Sequence, residues 1–347
     1  MKINFLLNWK IFWLTCIPMF VIVSLQLLGI RPPRLVSPLP EKKDIFESIL
    51  PKLEKNATTI KLKKQTSFIS PSYAASQVES AAAYTVIDLD TGDILAEKNA
   101  DTQLPIASLT KMMTAVVALD LASPGELFTV SPEASRKIPT KLGVIPGQKM
   151  SVEELLNGLL LTSANDAAEV IKNGIDHKYH EPVFIQSMNK KAQLLGLVNS
   201  HFSNPQGFDN PQNYSSAKDL VVLAQYAYTT YPLIAEIIKK DYEFLPANEN
   251  HKQFDLYNWN GLIGVYPNVL GFKIGNTDKA GKTTVVISER EGKKMLVVVL
   301  GAPGILERDM WAAQLLDEGF EKTLGLTAVN VTEEQLREKY NTWKYWN

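Results

Sequence analysis

A serine and a lysine three residues apart, Ser108 and Lys111, open the apolar segment SLTKMMTAVVALDLA. On a helix this spacing sets hydroxyl and amine on one face, within reach of each other. A serine hydroxyl becomes a useful nucleophile when a base takes its proton. A lysine can be that base if burial or a neighbouring cation lowers its pKa. The apolar run behind Lys111 is a setting where a solvated lysine is not expected. Two further copies of the spacing, Ser187 to Lys190 and Ser215 to Lys218, lie in polar helical stretches and read as ordinary surface pairs. Spacing alone therefore does not decide for Ser108.

Two more groups carry chemistry. Ser163-Ala164-Asn165 follows the apolar run Leu155 to Leu161. A second hydroxyl there could pass a proton to a leaving group. The Asn165 amide could both donate to and accept from a substrate peptide bond. The plain alternative is a helix N-cap, and Ser187 to Asn189 is a decoy of the same pattern. Lys273-Ile274-Gly275 lies between NVLGF and the strand-like TTVVIS. A lysine on an edge strand could bind an anionic substrate terminus, and Gly275 could let a substrate backbone approach closely. Lys141, Lys172 and Lys279 repeat the K-x-G pattern, and an exposed lysine is the plain reading of any of them. Only Ser108, Ser163 and Lys273 occur in the order helix start, helical insertion, late strand.

The elements that would position them follow from periodicity and punctuation. AAAYTVIDLD and DILAEKNA read as a hairpin across Asp90-Thr91-Gly92. A helix follows at Ser108. Met150 to about Gly174 reads as mainly helical and opens on a Ser151–Glu154 capping box. Further helices are predicted over Val183–Leu195 and Ala217–Tyr228. KTTVVISER and KKMLVVVLGAP form a second hairpin, and Arg308–Phe320 a closing helix. Strands, helices, strands, helix is the order of an α/β (α+β) fold, an antiparallel sheet packed with helices and carrying a helical insertion.

Around these elements the chain is divided as follows. Residues 11–30 carry no charge, close to the roughly 20 residues a spanning helix needs. We read 1–30 as an uncleaved membrane anchor, with a cleaved signal as the alternative. Arg31, Arg34, Lys42 and Lys43 follow it, so charge bias does not set the orientation. Residues 31–77 hold six prolines and read as a linker, with DIFESILPKLEK as a short helix within it. Residues 78–325 are the expected catalytic domain and 326–347 a C-terminal tail. Of 347 residues 45% are hydrophobic, enough for a sizeable core, and the net charge of -1 leaves no basic footprint for nucleic acid. Cys16 stands alone, so no intrachain disulfide forms. His177 and His180 lie in a polar stretch where no cysteine or acidic cluster completes a coordination set, so no metal or cofactor is expected.

The three groups and their surroundings resemble the serine-type D-alanyl-D-alanine carboxypeptidases, the low-molecular-mass penicillin-binding proteins of peptidase family S11. PIASLTKMMTA, LLNGLLLTSANDAAE, MNKKAQLLGLVNSHFSNPQGFD, YSSAKDL and GFKIGNTDKAGKT are similar to that family's segments, in its order, over roughly Ala81 to Phe320. The resemblance implies a serine β-lactamase-like fold with a helical subdomain. It implies peptidoglycan stem peptides as substrate, β-lactams as covalent inhibitors and an extracytoplasmic location, secreted if the signal is cleaved. Carried onto this chain, Ser108 attacks, Lys111 is the base and Ser163 relays a proton. Asn165 holds the substrate amide, and Lys273 attracts the terminal carboxylate and helps keep Lys111 neutral. The N–H groups of Ser108 and Asn276 form the oxyanion hole, where losing one donor costs about 2.7–4 kcal/mol of barrier.

Two departures stand out. Ile274 occupies the place of the family's Thr or Ser, whose hydroxyl bonds the substrate carboxylate; Ala164 replaces a glycine. No C-terminal β domain or amphipathic anchor is expected, an N-terminal anchor taking the latter's place. A β-lactamase would need a glutamate-activated water, and NSHFSNPQGFDN offers no convincing glutamate for it. A D,D-endopeptidase on cross-linked peptides would use the same residues, and a catalytically silent wall-binding module is the non-enzymatic alternative.

Overall fold

The computed structural model describes residues 45–58, 60–64 and 78–343. The expected N-terminal anchor and most of the expected linker lie outside them. No helix among the described residues is long and apolar enough to cross a membrane.

A six-stranded sheet is the frame. Its strands are β1 (Lys63–Lys64), β2 (Ala83–Asp88), β3 (Asp93–Lys98), β8 (Val269–Thr277), β9 (Gly281–Arg290) and β10 (Lys293–Ala302). They run in the order β1-β3-β2-β10-β9-β8. All neighbours are antiparallel except the two-residue β1, which pairs parallel with β3. Both predicted hairpins are present, and the late one brings β10 back against β2.

The central strands are apolar on both faces because helices cover both. On β10, Leu296, Val298 and Leu300 face the larger core with the helical insertion. Met295, Val297 and Val299 alternate with them and face Trp311, Leu315 and Phe320 of the closing helix α8 (Ile305–Leu324). A period of two along the strand thus serves two different cores.

The insertion between β3 and β8 begins with α2 (Thr110–Leu121), entered through a tight turn over Ala107–Leu109. The short strands β4 (Leu127–Thr129) and β5 (Lys149–Ser151) pair before α3 (Val152–Leu160). The Ser151–Glu154 capping box is made: Glu154 N–H donates to Ser151 Oγ at 3.2 Å, and Ser151 N–H to Glu154 Oε2 at 2.8 Å. Then come α4 (Asn165–Tyr179), α5 (Phe184–Leu195), α6 (Ala217–Thr230) and α7 (Pro232–Ile238). A second two-stranded sheet, β6 (Tyr242–Leu245) with β7 (Phe254–Tyr257), leads into β8. The fold class expected from the sequence is the one observed.

Two boundaries differ from expectation. The helix α1 (Ile45–Glu54) belongs to the folded body and not to a free linker. Ile49 and Leu53 are fully buried in the larger core, and Lys191 of α5 donates to the Leu53 carbonyl. Lys191 also pairs with Asp120 of α2 at 2.8 Å, both side chains buried. The expected tail likewise packs. Helix α9 (Glu333–Asn341) starts on a Thr332–Gln335 capping box and buries Leu336, and Trp343 just beyond it is 9% exposed.

Candidate active site

Ser108 sits in the turn that leads into α2. Two glycines clasp that turn. A Cβ on Gly207, which has φ +91°, would stand 1.9 Å from the Ala107 carbonyl oxygen. A Cβ on Gly275 would stand 2.9 Å from the Ser108 nitrogen and 2.5 Å from Thr283 Oγ1. The nucleophile turn thus leaves no room for a Cβ at Gly275. The turn itself is tight: Ala107 has φ +49°, a left-handed conformation uncommon for a residue with a Cβ.

Lys111 lies one helical turn on from Ser108 and is fully buried. Its Nζ is 2.8 Å from Ser108 Oγ, 2.8 Å from Asn165 Oδ1 and 2.6 Å from the Gln206 carbonyl oxygen. Burial holds its pKa well below the ordinary lysine value; the Lys273 charge adds to this and Asp166 opposes it. A neutral amine has two N–H bonds and one lone pair. Asn165 Oδ1 and the Gln206 carbonyl are acceptors only and take both N–H bonds. The lone pair is left facing the Ser108 hydroxyl, which can donate to it.

The first turns of α4 supply several parts of this arrangement. Asn165 is the first residue of the helix and its side chain goes to Lys111, so it does not cap. The N-cap position is Ala164, which has no side-chain cap. Ser163, before it, has φ +59° and is 6% exposed, at the junction of α3 and α4. Asp166 accepts N–H bonds from Leu142 and Gly143 at 2.9 Å each and from Val144 at 3.3 Å, fixing the loop in front of the helix. Burial still raises its pKa, with those N–H groups opposing. Glu169, one turn after Asn165, accepts from Gln206 Nε2 and pairs with Lys137 at 3.4 Å. The i, i+4 pair Asn165 and Glu169 thus meets Lys111 directly and through Gln206.

Lys273 is on the edge strand β8 and is 1% exposed. Its Nζ donates to the Ile274 carbonyl at 3.1 Å. Burial, and secondarily the Arg308 charge, brings its pKa down to about 7. Ile274 packs with Trp259 and Trp343, with Tyr257 and Tyr340 against them. Asn276 lines the cleft, and its Oδ1 accepts from Lys282 Nζ at 2.6 Å.

One cleft of about 640 Å³ gathers Ser108, Ser163, Ile274, Gly275 and Asn276 in its lining. Residues 139–143, Thr162, 252–257 and Trp259 complete its walls. Lys111, Asn165 and Lys273 lie behind that lining. The decoys fall elsewhere, with one exception. Ser187 Oγ bonds back to the Val183 carbonyl at 2.8 Å, Asn189 Nδ2 donates to the Phe202 carbonyl at 2.7 Å, and Lys218 pairs with Asp101. Lys141 is the exception, exposed in the cleft wall. Sequence reasoning missed Gln206, Glu169 and Asp166. Gln206 stood inside the quoted NPQGFD segment, but it acts through a backbone carbonyl, which side-chain chemistry does not announce.

Comparison with known proteins gives the family and the fold. The S11 peptidase model, described as D-alanyl-D-alanine carboxypeptidase, matches residues 70–304. The D-alanyl-D-alanine carboxypeptidase DacF of Bacillus subtilis is 32% identical over 247 residues, 70% of this chain and 62% of the relative. DacB2 of Mycobacterium tuberculosis is 32% identical over 248 residues, 69% of this chain and 82% of the relative. The match thus spans less than two thirds of the Bacillus protein and most of the mycobacterial one. The crystal structure of the Streptomyces K15 DD-transpeptidase superposes with a TM-score of 0.66 at 28% identity, covering 73% of this chain and 99% of that one.

Proposed function

From the premise that the chain belongs to the S11 D-alanyl-D-alanine carboxypeptidase family, we propose that it is a serine D,D-peptidase working through an acyl-enzyme on Ser108. The substrate is a peptidoglycan stem peptide ending in D-Ala-D-Ala, and the residue after the penultimate D-Ala is released. The observation that carries the reading is the environment of Lys111, which places a buried amine 2.8 Å from Ser108 Oγ with both N–H bonds taken by carbonyls.

The steps follow from that arrangement. Lys111 accepts the Ser108 proton as Oγ attacks the carbonyl carbon of the penultimate D-Ala. The oxyanion faces the N–H groups of Ser108 and Asn276. The C–N bond then breaks, and the proton returns through Ser163 to the departing amine. Asn165 Nδ2 holds the substrate amide while its Oδ1 stays on Lys111. Water hydrolyses the ester and frees Ser108. A positioned base of this kind contributes about 10²–10⁴-fold. We place residues 78–343 together with α1 in one catalytic unit, facing the cell wall and held by the N-terminal segment.

A second reading has an observation of its own. Ile274 presents an apolar side chain where a free carboxylate would need a hydrogen bond, and this favours cleavage inside cross-linked peptides. Fluorescent penicillin, applied to wild type and Ser108→Ala with a D-Ala release assay beside it, tests the common core of both readings. Wild type takes the label and Ser108→Ala does not. Labelling that persists in Ser108→Ala would overturn the assignment of the nucleophile. Protein that binds muropeptides but neither labels nor releases product would be a wall-binding module, and rapid nitrocefin turnover a β-lactamase.

A further inference from the structure

The cleft wall at Ile274 is apolar, and Lys273 and Arg308 are buried outside the lining. Ile274 and Trp259 line the cleft, with Tyr257 beside them. Trp343 and Tyr340, from the end of the described chain, pack into the same cluster. Tyr340 ties that cluster to a buried ion pair, its hydroxyl donating to Asp309 Oδ2 at 2.9 Å. In the pair, the Arg308 Nε–H and Nη2–H donate to the two Asp309 oxygens at 2.7 and 2.8 Å. This is the fork by which an arginine would otherwise grip a ligand carboxylate. Gly261 packs on the pair so closely that a Cβ there would stand 2.2 Å from Asp309 Oδ2. Arg308 is fully buried, its Nη1 has no hydrogen-bond partner among the described residues, and it is not part of the cleft lining. The cations that the lining does expose, Lys141 and Lys252, belong to the 139–143 loop and the segment before β7.

Resting on the peptidase reading above, we propose that Ile274, backed by Trp259 and Trp343, selects substrates whose leaving residue carries an uncharged carboxyl derivative, an amide or a continuing peptide bond, over those ending in a free carboxylate. A carboxylate brought against Ile274 would lose water without gaining a hydroxyl partner from that side chain, and Asp309 already occupies the guanidinium fork. A carboxamide carries no charge to strip of water, so it loses far less there. The reaction is the same hydrolysis. Water adds across the amide bond, its hydroxyl ending on the acyl carbonyl and its proton on the released amine. An acid substrate releases D-alanine and an amide substrate D-alaninamide.

Two synthetic peptides test this, one ending in D-Ala-D-Ala with a free carboxylate and one ending in D-Ala-D-alaninamide. The full chain, Ile274→Thr and Ile274→Ser are compared by kcat/KM on each peptide. Wild type turns over the amide at least as well as the acid. Restoring a hydroxyl in either variant moves the acid-to-amide ratio about tenfold to a hundredfold toward the acid, the range of one hydrogen bond to a charged group. Melting temperature and a penicillin adduct on Ser108, read by mass after prolonged exposure, certify each variant as folded and active. A wild type that prefers the acid tenfold or more overturns the proposal. A ratio unmoved in both folded variants also overturns it. Wild type with no adduct and no turnover fails differently, because the peptidase reading itself then falls and takes this selectivity with it.

Discussion

Lys111 and Lys273 are both fully enclosed, and burial lowers the pKa of each. Each ammonium would be costly to bury without a carboxylate partner, so each gives up its proton more readily than a surface lysine. The sign for stability follows. Lys273 loses its proton near pH 7 in the folded chain and near about 10.4 in the unfolded one. Between those values the unfolded state binds more protons, so stability rises with pH across that window. Lys273→Met should flatten this rise, read as melting temperature across the same window. It should also move the acidic limb of penicillin acylation to higher pH, because the Lys273 charge helps to depress Lys111. An unchanged limb would mean that Lys273 does not act on the base. At this scale the sequence was readable where side chains do the work. Ser108, Lys111, Ser163, Asn165 and Lys273 could be singled out as candidates by type, order and family resemblance. Gln206 could not, because its contribution is a carbonyl oxygen that every residue owns. The close approach at Gly275 was not legible for a related reason: what a Cβ there would meet, the Ser108 nitrogen and Thr283, is contributed by other elements.

Among the elements, helix α4 does most to hold the cleft in shape. Its opening turn sends Asn165 to the base and Asp166 to the 142–144 loop, and its second turn reaches Gln206 through Glu169. Helix α5 holds the other end of the nucleophile helix through Lys191, which meets Asp120 of α2, the Tyr226 hydroxyl and the Leu53 carbonyl. Lys191→Ala would leave a buried carboxylate without its cation, and breaking such a pair from one side costs about 3–5 kcal/mol. Lys191→Ala with Asp120→Ala should recover part of that loss. Chemical denaturation of the three proteins measures it, and a single variant as stable as wild type would show that the pair carries no load. Long strands and amphipathic helices were legible because their periods match their burial. Helix α9 was not. It buries Leu336 alone among its residues, so its pattern is almost wholly polar.

For the molecule as a whole, the sequence placed the domain start at residue 78, and the structure moves it upstream. Helix α1 reads as linker because charges and Pro51 interrupt it, yet Ile49 and Leu53 fill the core beside α2 and α5. A chain beginning at Val78 should therefore melt below one beginning at Ile45 and bind more of an apolar dye. Burying one such side chain is worth roughly 1.5–3 kcal/mol. Equal melting temperatures would return α1 to the linker.

That same helix has a mechanical consequence. Tension on the chain ahead of Ile45 enters the body through α1. The Leu53 carbonyl on Lys191, and Lys191 on Asp120, then carry it to the helix that opens beside Ser108. A pull strong enough to peel α1 away strips one acceptor from a buried ammonium and empties two core positions. Loss of α1 would thus be felt at Asp120, at the end of the nucleophile helix away from Ser108.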